Sequence, residues 1–271
     1  MGEMLMNQKD MSQINETGWN RHAYDAWVNR HGVPAEYAEK IKHNPRKSVE
    51  HYLNYMNGVK GRKIVNLLGS KGNKAVSFAL LGAGVTVVDL SKDNARYASE
   101  LAEAAGVKVT YIVSDVLDIP ETQKISDADY IVLELGVLHY FLDLAPLFAL
   151  IHEGLKKGGR FILRDYHPMV SKVLRAKDGM MTVEGDYFDR DMKEVDVAYA
   201  IHLPEEQKKS LPKNTIRRWT LGDVITSLVR AGLTIQHLEE EAGIRWAFPE
   251  GTPEGFEEKM PGLFTLIADK K

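Results

Sequence analysis

A chain of 271 residues with 44% hydrophobic residues is long enough to bury a full core, as one large α/β domain with an appendage or as two small domains. A net charge of −3 argues against bulk attraction to nucleic acid or to an anionic membrane surface, and the lack of cysteine excludes disulfides, thiolate chemistry and cysteine-ligated zinc. No apolar run reaches the ~18 residues of a membrane span. The opening MGEMLMNQKDMSQINE lacks the basic-then-apolar order of a secretory signal, so a soluble cytoplasmic protein is expected.

Residues 1–15 are polar and Met-rich and are expected to be loosely ordered. In TGWNRHAYDAWVNRHG, Trp19, Ala23, Ala26 and Trp27 fall at helical spacing, and Gly32-Val33-Pro34 stops the helix. A second helix follows from Ala35 and a third spans residues 45–56. Residues 1–58 thus form a helical cap ahead of the first strand. The aromatic residues Trp19, Tyr24 and Trp27 either pack on the main domain or cover a ligand crevice. In the second case Trp19 meets a cofactor, and Tyr24 and Trp27 meet a substrate.

The stretch RKIVNLLGSKGNKAVSFALLGAGVTVVDLS, residues 62–91, reads as strand, turn, helix, strand and acidic residue. Strands at 64–68 and 85–88 flank a helix at 73–81, a βαβ unit that requires parallel pairing. Ligands of such sheets bind beyond the carboxyl ends of the strands, which puts the Gly69-Ser70-Lys71-Gly72 turn beside Asp89. Small turn residues admit close backbone approach, and an acid after the second strand accepts from ribose hydroxyls. An adenosine-type cofactor site competes here with a plain tight turn next to a surface aspartate.

Ser91 is a good N-cap for KDNARYASELAEAAG, and Gly106 ends that helix. Strands follow at 107–113, before Asp115, and at 130–133, before ELGVLHYF. A helix over 144–156 and a KKGG turn lead to a fifth strand at 160–163, which runs into RDYHP. Alternation from 62 to 165 signals a doubly wound, mostly parallel sheet. Residues 166–218 break the rhythm and are long for a connection, so they are expected to wall the substrate side. A helix at 221–231 and strands at 233–239 and 263–268 complete the main unit, residues 59–271.

In order and spacing these landmarks resemble the class I S-adenosylmethionine-dependent methyltransferases of the bacterial small-molecule type. The resemblance covers residues 60–165 and, more loosely, 219–268, and it implies a seven-stranded Rossmann-like sheet. Those enzymes open with an acid and a glycine-rich turn, D-x-G-x-G-x-G. Here Asn66 stands for the acid, Leu68 for the first glycine and Ser70 for the second; Gly72 is in register and Gly69 is additional. The resemblance assigns Asp89, with Leu90 and Ser91, to the cofactor's ribose, and Asp115, Val116 and Leu117 to its adenine. Glu134 and Leu135, at the exit of the fourth strand, meet the methionine part. S-adenosyl-L-methionine carries a sulfonium cation and no phosphate. A turn with Ser70 and Lys71 between its glycines suits it better than an NAD pyrophosphate.

His139 and His167 lie just past the fourth and fifth strands and are the candidate general bases for an acceptor hydroxyl. Tyr140, Tyr166 and Tyr187 are candidate substrate contacts. Asp165, His167 and Glu134 match no metal motif, so no metal is expected. The expected activity is methyl transfer to oxygen or nitrogen of a small-molecule substrate, by a chain that neither binds nucleic acid nor enters a membrane and that can form a homodimer. A nicotinamide-dependent oxidoreductase and a non-catalytic S-adenosylmethionine-binding protein are the alternatives.

Overall fold

The structure is a computed structural model that describes residues 6–271. Helices α1 (Gln8–Trp19), α2 (Ala23–His31), α3 (Pro34–His43) and the one-turn α4 (Glu50–Leu53) precede the sheet. Three expectations for this region are corrected. Residues 1–5 lie outside the described residues, but from Gln8 onward the stretch expected to be loose is helical. Asn7 and Asp10 cap it reciprocally, and Met11, Asn15 and Gly18 face inward. The single helix expected through Trp19 and Trp27 and stopped at Gly32 is broken at residues 20–22, where the Lys92 N–H donates to Asn20 Oδ1 at 2.7 Å. The helix expected over 45–56 shrinks to α4. Asn44, before Pro45, is driven out of helical conformation (φ −148°, ψ 82°), and three-residue turns follow.

β1 (Lys63–Leu67) passes through the glycine-bearing turn to α5 (Asn73–Leu80), β2 (Gly84–Asp89), α6 (Lys92–Ala105) and β3 (Val109–Val113). β4 (Ala128–Glu134), α7 (Ala145–Gly154) and β5 (Leu155–Tyr166) follow. Ser91 caps α6 by accepting from the Asn94 N–H, and Gly106 closes it in the left-handed region, as the sequence predicts. β5 is longer than its expected core at 160–163. Its ladder with β4 starts at Leu155 and kinks at Gly158-Gly159, where a Cβ on Gly159 would lie 2.7 Å from Ala128 O.

The 166–218 segment forms two small antiparallel pairs: β6 (Leu174–Lys177) with β7 (Met180–Val183), and β8 (Met192–Val195) with β9 (Asn214–Arg217). The short α8 (Glu205–Lys209) lies between β8 and β9. The chain ends with α9 (Leu221–Arg230), β10 (Leu233–Glu241) and β11 (Leu263–Lys270).

The main sheet has seven strands in the order β10-β11-β5-β4-β1-β2-β3. β11 alone runs antiparallel, between β5 and β10. One face packs on α7 and α9, with Phe148, Ile151 and Leu228 against Leu133, Phe161 and Leu266. The other takes α5 and Tyr52, with Phe78 against Ile64, Val87 and Val132. α2 and α3 rest on α6 through Ala26, Ala38 and Leu101. Strand order reverses between β1 and β4, so the ligand crevice lies beyond the carboxyl ends of those two strands.

Candidate active site

The turn after β1 forms the floor of this crevice. Leu68 (φ 47°), Ser70 (φ 49°) and Gly72 (φ 73°) all adopt left-handed backbone. These are the three positions at which the resemblance sets glycine. The backbone therefore keeps the glycine conformation while two positions carry side chains, at a cost of about 1–2 kcal/mol each. The two glycines that remain are sterically required. A Cβ on Gly69 would lie 2.8 Å from Asn66 Oδ1 and 2.9 Å from Val87 Cγ1; one on Gly72 would lie 2.6 Å from Ala98 Cβ.

Asp89, at the end of β2, is buried and accepts three hydrogen bonds: from Ser70 N (3.0 Å), Ser91 N (2.9 Å) and Asn94 Nδ2 (3.2 Å). Burial raises its pKa above the ordinary carboxylate value, and these donors oppose the rise. Asp115 accepts from Leu117 N at 2.9 Å through one oxygen. Val116 is buried beside it, and Leu117 packs on the core. Asp89, Leu90, Asp115 and Val116 line one crevice with Leu68 and Val88, closed at its far end by Tyr140 and Phe141.

Gln8, Ser12 and Asn15 of α1 form the roof. Gln8 brackets the 140–142 backbone: its Nε2 donates to Tyr140 O at 3.0 Å, and its Oε1 accepts from Leu142 N at 2.8 Å. Trp19 Nε1 donates to Tyr140 Oη at 3.2 Å, and Ser91 Oγ donates to Trp19 O at 2.8 Å. None of the three roof residues was singled out from the sequence, although the Asn7-x-x-Asp10 cap signal was there to place a helix over them. The closed crevice holds only about 20 Å³ of free space, against the ~300 Å³ or more of a typical ligand pocket.

β4 ends in a sharp reversal, with Leu135 (φ 49°) and Gly136 (φ 75°) both left-handed. Asp165 of β5 gathers this loop: its carboxylate accepts from Gly136 N (2.5 Å), Leu138 N (3.5 Å) and Tyr166 N (2.7 Å). Burial raises the Asp165 pKa against these donors. Glu134 points to the other face of the sheet, paired with Lys74 at 2.7 Å and accepting from Tyr52 Oη. Across the Leu138–Tyr140 turn lies a second, larger cavity of about 580 Å³. Its walls include His139, Tyr166, Trp219 and Trp246 together with Arg175 and Arg218.

The sequence-predicted substrate and base residues divide. His139 and Tyr166 line the larger cavity, while Tyr140 lines the crevice. No hydrogen bond engages the His139 ring among the described residues. Burial first, and then the Arg218 charge, lower its pKa to about 3. His167 is buried with both ring nitrogens in use, Nε2 with Glu240 at 2.9 Å and Nδ1 accepting from Met169 N at 3.2 Å. Tyr24 sits on α6, its hydroxyl on Glu100 and its ring under Arg96. Trp27 donates to Asn94 at 2.8 Å beneath Lys71. Tyr187 meets the first turn of α9, accepting from Leu221 N at 3.2 Å. The structure brings none of these last four to either cavity.

Residues 68–163 match the family described as a methyltransferase domain. Over those residues, from the turn after β1 into β5, the chain is similar to that family. Solved structures share its fold. An S-adenosylmethionine-dependent methyltransferase from Mesorhizobium loti is 24% identical with a TM-score of 0.62, over 81% of this chain and 96% of that one. The magnesium protoporphyrin IX methyltransferase of Synechocystis, with S-adenosylhomocysteine bound, is 13% identical with a TM-score of 0.58, over 97% and 100%. A third, from Clostridium acetobutylicum, is 16% identical with a TM-score of 0.55, over 83% and 89%. No curated protein matches the sequence.

Structures that share this fold have been solved with S-adenosylmethionine or S-adenosylhomocysteine bound, the cofactor that the resemblance implies here. The donor set fits it: Asp115 keeps one oxygen unengaged among the described residues, Val116 and Leu117 offer apolar surface, and Ser70 Oγ is buried without a partner. No helix of the described residues is long and apolar enough to cross a membrane.

Proposed function

We propose that this methyltransferase acts on a small-molecule acceptor, at oxygen or nitrogen, held in the cavity beside His139. The observation that carries this reading is the 580 Å³ cavity itself, lined by Leu138 and His139 of the same short segment whose Tyr140 and Phe141 line the Asp89–Asp115 crevice. Its volume suits a metabolite-sized ligand, and its aromatic walls offer apolar surface to one. The cofactor supplies an electrophilic methyl on a sulfonium centre. Asp89 and Asp115 hold the adenosyl end, with Gly69, Ser70, Gly72, Leu90, Ser91 and Leu135 around it. The capping segment, residues 1–58, closes the crevice through α1, and the 166–218 insertion walls the acceptor side. Asp165 fixes the loop on which His139 stands, so orientation supplies much of the rate. His139, uncharged at neutral pH and unbonded, takes the proton of an acceptor hydroxyl. Incubation with isotopically labelled S-adenosylmethionine and a fractionated metabolite extract tests the reading. A labelled low-mass product together with S-adenosylhomocysteine is expected; label appearing only in protein or nucleic acid would count against it.

A further inference from the structure

The acceptor cavity is apolar along most of its wall, with three charged exceptions: Asp165, Arg175 and Arg218. Asp165 is already satisfied by the backbone N–H groups of the 136–138 loop and of Tyr166. The arginines are not. Among the described residues the Arg218 guanidinium makes no hydrogen bond or ion pair, and Arg175 reaches only the neighbouring Leu174 carbonyl, at 2.7 Å. The Asp189 charge reaches Arg218 and opposes the fall of its pKa, but Asp189 is itself paired with Lys193 at 2.5 Å. By contrast, the adjacent Arg217 is committed, donating to Leu142 O and stacking at 4.3 Å on Trp219.

Two like charges lining one half-buried, aromatic-walled space repel each other, and among the described residues neither guanidinium pairs with a carboxylate, an arrangement that an anionic ligand relieves. Burial and the neighbouring Arg175 charge both depress the Arg218 pKa, the mark of a cation short of a partner. We propose that the acceptor is a monoanionic carboxylate with a ring-sized apolar body, its carboxylate held by Arg218 and Arg175 and its body against Trp219 and Tyr166. This rests on the small-molecule reading above and narrows it. Planar guanidinium forks suit carboxylate oxygens, and the charges lining the cavity decide the valence: two positive and one negative leave one positive to be neutralised. A phosphate dianion would leave the cavity with net negative charge. An anion on Arg218 also offsets the smaller of the two causes that lower the His139 pKa, burial being the larger.

The test is calorimetry on the full chain, saturated with S-adenosylhomocysteine, using 1-naphthoate and its neutral isostere 1-naphthamide as probes. The carboxylate is expected to bind about tenfold or more tightly than the amide, the scale of a hydrogen bond to a charged group. Arg218→Gln should abolish that preference and Arg218→Lys should retain most of it, with S-adenosylhomocysteine affinity unchanged in both variants. That unchanged affinity also reports that the variants are folded. Equal binding of the two probes, or binding of neither by a chain that binds S-adenosylhomocysteine, overturns the carboxylate assignment and leaves the methyltransferase reading standing. Failure of S-adenosylhomocysteine itself to bind the wild-type chain removes both.

Discussion

Asn15 and Thr215 exchange two hydrogen bonds across 200 positions of sequence: Asn15 Nδ2 donates to Thr215 O at 2.9 Å, and Thr215 N donates to Asn15 Oδ1 at 2.8 Å. The amide completes the edge of β9 as another strand's backbone would. It ties the roof of the cofactor crevice to the insertion that walls the acceptor cavity. Asn15→Ala leaves a buried N–H and a buried C=O unpaired, which costs about 1–3 kcal/mol. The expected outcome is faster proteolysis within α1 and faster release of S-adenosylhomocysteine in stopped-flow measurements. Wild-type rates in both assays would show that α1 does not gate the crevice.

The glycine-type turn offers a pair of substitutions with opposite signs. Ser70→Gly removes left-handed strain and a buried hydroxyl that has no partner, while adding backbone entropy to the unfolded chain. The net expectation in urea denaturation is a gain of about 0.5–1 kcal/mol. Gly69→Ala places a methyl 2.8 Å from Asn66 Oδ1 and should lose about 1–3 kcal/mol. A stabilising Gly69→Ala would mean that the turn has more room than its geometry allows.

Asp89 links cofactor binding to pH. Its folded pKa is raised above the ordinary carboxylate value of 3.8, chiefly by burial. For an acid that shift makes folding stability greatest below the unfolded pKa and reduces it as pH rises through the folded value. Ligand affinity runs the other way, because a protonated carboxyl loses acceptor capacity for the ribose hydroxyls. S-adenosylhomocysteine affinity should therefore begin to fall, on acidification, at a pH above 3.8. Asp89→Asn should weaken binding by about 1.5–3 kcal/mol at neutral pH and abolish this acid limb. An Asn variant with wild-type affinity at pH 7 would remove Asp89 from the site.

Much of the frame is legible because each signal is local. β1, β2 and β4 are short β-branched runs, and Ser91 and Gly106 bracket α6 with ordinary caps. The roof is not legible in the same way. Asn15 is 1% exposed, and its partner is known only once β9 is placed beside it, so a polar residue that reads as solvent-facing turns out to be structural. His167 misleads for the converse reason: the exit of β5 lies at the ligand edge, but Glu240 of β10 takes its ring. The cavity walls come from Arg175, Arg218, Trp219 and Trp246, which lie in the insertion and loops with no periodicity to join them. What the motif comparison does not reveal is that the backbone at Leu68 and Ser70 keeps the conformation of glycines it no longer has.

His139 carries the last prediction. Its pKa is lowered to about 3, first by burial and then by Arg218. A histidine whose folded pKa lies below its unfolded value of 6.5 stabilises the fold fully above 6.5, and that contribution is lost as pH falls toward 3. Unfolding between those values therefore takes up a proton at this residue, and His139→Gln should flatten the acid side of the stability profile. In the free enzyme the imidazole is neutral from pH 6 upward, so kcat/KM for a hydroxyl acceptor should show no limb near the ordinary histidine value. A base this weak in the free enzyme belongs at the low end of general-base contributions, about a hundredfold. His139→Ala is expected to lose about that factor in kcat while S-adenosylhomocysteine affinity holds within a few-fold. His139→Gln separates the roles, since glutamine can hydrogen-bond the acceptor but cannot take its proton. Recovery of most activity in the Gln variant would assign His139 to positioning; wild-type turnover in both variants would leave the reaction without a base at this turn.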